Sequence, residues 1–168
     1  MKVYGVDFTS APGKRKPITV AHGILSGTRL SIETIEPLAT FEAFERFLER
    51  PGPWIAGFDF PFGLPRDAIR DFGWPEEWEA MVHHCARLGR QKFAEQLNED
   101  RISRPAGRKY RYRSGDRLAG SSPAVRLHQV PVGFMFFEGA PRLARAKLNI
   151  PLLRENADNR IALEAYPG

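Results

Sequence analysis

Cysteine occurs once in these 168 residues, at Cys85, so no intrachain disulfide can form and the chain reads as a protein of a reducing compartment. No apolar run approaches the ~20 residues that a membrane helix needs, and Met1-Lys2 leads straight into an apolar segment with no signal-peptide pattern. Together these absences give the expectation of a cytoplasmic protein without membrane association. Internal repeats and low-complexity linkers are also missing, which excludes solenoids and disordered tethers. What remains is a globular composition, 42% hydrophobic and 27% charged, at a length that suits one domain over residues 1–168. Acid is in deficit: 20 Asp and Glu against 25 Lys and Arg leave a net charge of +5, which favours phosphate-bearing partners without requiring them.

Acids are scarcest inside the apolar runs, and two exceptions match. Val3 to Phe8 is apolar except for Asp7, and Ile55 to Phe60 is apolar except for Asp59. Each run reads as a buried strand with its acid at the C-terminal end, followed by breakers: Pro12 and Gly13 in one case, Pro61, Gly63 and Pro65 in the other. Side chains alternate along a strand, so Gly5 shares a face with Asp7 and Gly57 with Asp59. If the strands are parallel neighbours, both carboxylates project from one rim of the sheet over a floor without side chains, where ligands bind in open α/β sheets. Each acid taken alone is equally a turn residue, bonding its own backbone near Thr9 and Ser10 or before Pro61.

Between these strands, Ser10 to Pro17 is a basic turn containing Lys14, Arg15 and Lys16. Ile18 to Leu25 and Leu30 to Ile35 read as a strand pair joined at Ser26-Gly27-Thr28. Thr40 suits the cap of a helix from Phe41 to about Glu49, with Phe41, Phe44, Phe47 and Leu48 on one stripe. A strand, crossover helix and strand within one sheet make the outer two strands parallel. A short helical turn follows Pro65, then an amphipathic helix opening at Pro75 and continuing through Phe93 and Leu97. Pro123, Pro131 and Pro141 punctuate an apolar run at Val132 to Phe137 that reads as a loop entering a short buried helix, and Arg142 to Arg154 holds a basic helical piece. Arg160 to Tyr166 is the last strand, with Glu164 its only acid.

Arg101 to Arg117 carries seven cations against Asp116, with Tyr110 and Tyr112 interleaved. Lys109, Arg111 and Arg113 are candidates to neutralise nucleic-acid phosphates while Tyr110 and Tyr112 stack on bases; the plainer alternative is a solvated loop. His83-His84-Cys85 has metal-ligand chemistry but sits on an amphipathic helix, where packing explains it better. Glu138 is a further acid near Gly139, and His22 and His128 are isolated.

Four stretches carry a family resemblance: Gly5 to Pro12 (GVDFTSAP), Phe58 to Pro65 (FDFPFGLP), Gly133 to Pro141 (GFMFFEGAP) and Ala162 to Gly168 (ALEAYPG). In this order they resemble an uncharacterised bacterial family of predicted ribonuclease H-like nucleases. The resemblance implies an α/β fold: a ribonuclease H-like mixed sheet of a three-stranded meander, a crossover helix and parallel strands, flanked by helices. It further implies that Asp7, Asp59 and Glu164 collect Mg²⁺ or Mn²⁺ for two-metal hydrolysis of DNA or RNA. Members of that family continue past the Tyr-Pro motif, which gives the expectation of a C-terminally shortened chain here. Two other readings stay open. GVDFTS also looks like the first phosphate loop of actin-like ATPases and sugar kinases, in which Thr9 or Ser10 would cradle ATP phosphates; and the chain is also compatible with a nucleic-acid-binding module that has an incomplete acid set.

Overall fold

The computed structural model describes residues 1–166. Its elements run β1 (Lys2–Asp7), β2 (Ile18–Ser26), β3 (Arg29–Leu38), α1 (Phe41–Leu48), β4 (Trp54–Phe58), α2 (Arg66–Asp71), α3 (Trp78–Leu88), α4 (Arg90–Ser103), α5 (Ser114–Ala119), α6 (Val132–Arg145) and β5 (Arg160–Glu164). The five strands form one sheet in the order β3-β2-β1-β4-β5. β1, β2 and β3 are an antiparallel meander, while β1 with β4 and β4 with β5 are parallel. This is a ribonuclease H-like topology. By internal contacts the chain divides into two compact units, one of Met1–Asp59 with Arg142–Ala165, the other of Phe60–Pro141 with Tyr166.

In the first unit, alternation along the strands turns Tyr4, Val6, Ile18, Val20, Trp54, Ala56, Phe58 and Ala162 to one face, all of them buried. Helix α1 belongs to the same core. Its start is fixed by the Thr40 side chain, which accepts from the Ala43 N–H at 3.2 Å, and Phe44, Phe47 and Leu48 form its buried stripe. Phe47 meets Tyr4 edge-on at a centroid separation of 5.1 Å and stacks on Trp54 at 6.1 Å. Each such ring taken from water contributes on the order of 2–3 kcal/mol, so this aromatic cluster fixes the strands that carry the two acids. On the other face of the sheet, Ile32 and Ile35 of the edge strand β3 are 58% and 63% exposed.

The second unit is helical. Trp78 is anchored by its Nε1–H, which donates to the Phe62 carbonyl at 2.7 Å, and Phe93 stacks against Trp74 and Phe136. Helix α3 starts later than Pro75 because the Glu77 carboxylate is its cap, accepting from the N–H groups of Glu79 (2.9 Å) and Ala80 (2.7 Å). The expected continuation through Phe93 is broken at Gly89, whose φ of +82° suits glycine, and α4 begins after it. Pro141 does not end the apolar run; α6 passes through it to Arg145. Gly139, inside that helix, lies where a Cβ would come within 2.4 Å of the buried Phe60 ring. Cys85 is buried beside Met81, and burial pushes its thiol up to about 12. No helix among the described residues is long and apolar enough to cross a membrane.

Candidate functional site

Asp7 and Asp59 come together because β1 and β4 are parallel and in register. Gly5 pairs with Gly57 and Val6 with Phe58, and the Asp59 N–H donates to the Val6 carbonyl at 2.9 Å, so the ladder runs level up to the two acids. The Gly-x-Asp spacing, read from the sequence as two separate matches, becomes one feature: two adjacent glycines with two adjacent carboxylates above them. A Cβ on Gly5 would meet only the Ala21 Cβ, at 4.0 Å, so the floor is open on the β1 side. On the β4 side, a Cβ on Gly57 would come within 3.1 Å of the Ala165 Cβ. Asp7 is exposed and Asp59 half-buried. Burial, and after it the charge of Asp7, holds the Asp59 carboxyl above the usual carboxylate range. The two carboxylates are thus close enough to repel.

Glu164 is placed differently. Its partner across the β4–β5 ladder is Phe58, and the parallel register brings Ala165 level with Asp59. Neighbouring residues on a strand point to opposite faces, so Glu164 is one step out of phase with the acid pair and belongs to the face of Phe58. Among the described residues no group of three or more His, Cys, Asp or Glu is arranged to hold a metal ion.

A single hard cation still suits the pair. Mg²⁺ characteristically takes one or two carboxylates, keeps several waters and completes its shell with substrate phosphate. Two adjacent carboxylates, one of them raised by burial and then by the other's charge, offer that donor set.

The basic segment is largely engaged within the protein. Arg111 is buried at 8% exposure and donates to Asp100 (2.6 Å) and Asp71 (2.6 Å), with Asp67 at 3.3 Å. These hydrogen bonds, those to Asp100 first, raise its already high pKa, so it is charged at any accessible pH. The Arg113 backbone N–H and Nε donate to the buried Asp116 at 2.9 and 2.8 Å, closing the start of α5. Lys109 Nζ donates to the carbonyls of Arg104 and Ile102. Tyr110 is half-buried, and Tyr112 is exposed with the Arg117 guanidinium over its ring at 4.9 Å. Lys109, Arg111 and Arg113 are thus engaged within the fold, while Arg108, Tyr112 and Arg117 are exposed.

The remaining candidates are taken up by neighbours of their own. His84 lies 5.4 Å from the Trp74 ring, His83 is 3.9 Å from Glu79, and Cys85 is in the core. Glu138 accepts from Arg90 at 2.8 Å, and His128 lies 3.1 Å from the Asn98 side chain. His22, isolated in the sequence, joins Arg50 on Glu36; these bonds, with Arg50 leading, hold the Glu36 carboxyl below its usual range. Thr9 and Ser10 are buried, and Thr9 Oγ1 accepts from the Ala11 N–H at 3.4 Å, so neither hydroxyl stands open as a phosphate cradle needs.

Compared with known proteins, the chain matches no family model, no curated protein and no solved structure. The likeness to ribonuclease H-like proteins therefore rests on strand order and direction alone.

Proposed function

We propose that the chain is a divalent-metal-dependent phosphodiesterase acting on nucleic acid, in which Asp7 and Asp59 hold the ion. One observation carries this reading: two carboxylates stand level at the ends of adjacent parallel strands, on a ribonuclease H-like sheet, above two paired glycines. Mg²⁺ or Mn²⁺, when bound, supplies Lewis acidity at a phosphoryl oxygen and acidifies water. The chain supplies the rest. Strand ends fix both carboxylates more rigidly than loops would, and the open floor at Gly5 admits a sugar-phosphate close to the backbone on the β1 side. Glu164 has no part in this reading, which expects one ion rather than two.

The pairing of only two acids favours, as a second reading, a nucleic-acid-binding module without turnover. The test is calorimetric titration of Mn²⁺ into wild type, Asp7→Asn and Asp59→Asn, alongside cleavage of labelled single-stranded DNA, duplex DNA, RNA and hybrid oligonucleotides. The expected result is one Mn²⁺ site in wild type, lost in both variants, with metal-dependent cleavage lost in parallel. Metal binding without cleavage of any substrate leaves the second reading. Equal Mn²⁺ affinity in all three proteins overturns the site.

A further inference from the structure

The segment that leaves β1 after Asp7 carries three cations on a hydrogen-bonded turn. Gly13 N–H donates to the Lys16 carbonyl at 3.1 Å and Lys16 N–H returns to the Gly13 carbonyl at 3.2 Å, closing a two-residue turn with Lys14 and Arg15 at its tip. Lys14, Arg15 and Lys16 are all exposed. No acidic residue occurs between Asp7 and Glu33, and none of the three side chains has a hydrogen-bond or ion-pair partner among the described residues. Arg111 and Arg113 differ on both counts, being turned inward onto aspartates. The position follows from topology: β1 ends at Asp7, β2 begins at Ile18, and Thr19 pairs with Asp7, so the connection emerges from the same rim as the acid pair.

A polyanionic strand brought to two carboxylates is repelled by them. Its phosphates on either side of the reacting one must therefore be held by cations that are not already engaged. We infer that Lys14, Arg15 and Lys16 form a phosphate-gripping finger that seats a nucleic-acid backbone beside Asp7 and Asp59. The inference rests on the phosphodiesterase reading of the rim, and it moves the expected backbone contact from residues 109–113 to residues 14–16.

The test is binding of a fluorescein-labelled single-stranded oligonucleotide in EDTA, followed by anisotropy from low to moderate salt. It uses wild type, Lys14→Ala/Arg15→Ala, and the charge-matched control Lys2→Ala/Arg29→Ala, whose cations lie at the opposite end of the sheet. Losing two phosphate contacts on a single strand is expected to reduce the slope of log K against log[salt] by about 1.4 in the tip variant, with affinity down roughly tenfold at low salt. The control is expected to keep the wild-type slope, and all three proteins the same melting temperature and Mn²⁺ affinity. An unchanged slope in the tip variant, an equal loss in the control, or no binding by wild type overturns the finger. Because EDTA removes turnover from the measurement, the two readings separate. Loss of slope without cleavage in Mn²⁺ keeps the finger and removes the catalysis, whereas cleavage with unchanged slope does the reverse.

Discussion

Asp59 is a carboxyl placed where its charge is costly: it is half-buried, and Asp7 adds a second negative charge beside it. An acid that holds its proton more tightly in the folded than in the unfolded chain subtracts nothing below the ordinary carboxylate range, and subtracts stability once pH rises through its folded value. Replacing it with the isosteric, uncharged Asn therefore raises the melting temperature at pH 7, and the gain shrinks to nothing as the pH falls towards 3. The effect is modest because solvent reaches the group. A Mg²⁺ titration completes the measurement: the ion raises the wild-type melting temperature and leaves Asp59→Asn unmoved. A wild type more stable than the variant at neutral pH would mean that Asp59 is held by bonds of its own, and that the site carries no electrostatic strain for a cation to relieve.

Among the elements, α6 shows packing overruling local preference. Alanine is about 1 kcal/mol better than glycine inside a helix, which by itself makes Gly139→Ala stabilising. The Cβ would however lie 2.4 Å from the Phe60 ring, which is fully buried and has nowhere to retreat. Overpacking of this kind costs about 1–3 kcal/mol, so the expected net is a loss of about 1 kcal/mol, read as a lower urea midpoint at unchanged slope. The same contest explains which parts of the fold were legible in the sequence. The strands bearing Asp7 and Asp59 declared themselves because a Gly-x-Asp pattern before a proline is local information, and a crossover helix between them sets their direction. The phase of β5 against β4 did not: a slip of one residue exchanges the faces of a strand, and nothing in Arg160 to Glu164 says whether Glu164 or Ala165 stands level with Asp59. Pro141 misled for a similar reason. A proline inside a helix costs one backbone bond, and the apolar contacts on either side of it outweigh that loss.

On the scale of the whole molecule, charge is used in two ways that composition cannot distinguish. Arg111 is bonded to Asp100, 11 residues away, and to Asp71 and Asp67, 40 and 44 residues away, so its segment is tied to both α2 and α4. Neither alternative for the run at 101–117, phosphate contact by residues 109–113 or a solvated loop, includes these bonds, because the partners are remote in sequence. Arg111→Ala leaves the mostly buried Asp100 without its cation, and breaking such a pair costs about 3 kcal/mol. The expected outcome is a lower urea midpoint with little change in the salt dependence of oligonucleotide binding. The conservative change Arg111→Lys is expected to keep only part of the wild-type stability, because an ammonium cannot make the forked contact. An unchanged midpoint in the alanine variant would return Arg111 to the surface. The single thiol of the chain has a further use at this scale. Since Cys85 is shut in the core and its ionisation is pushed up to about 12, the native protein offers maleimide chemistry nothing to attack. A cysteine introduced at the hairpin tip would take up a dye alone, reporting the arrival of a nucleic acid without any background to subtract.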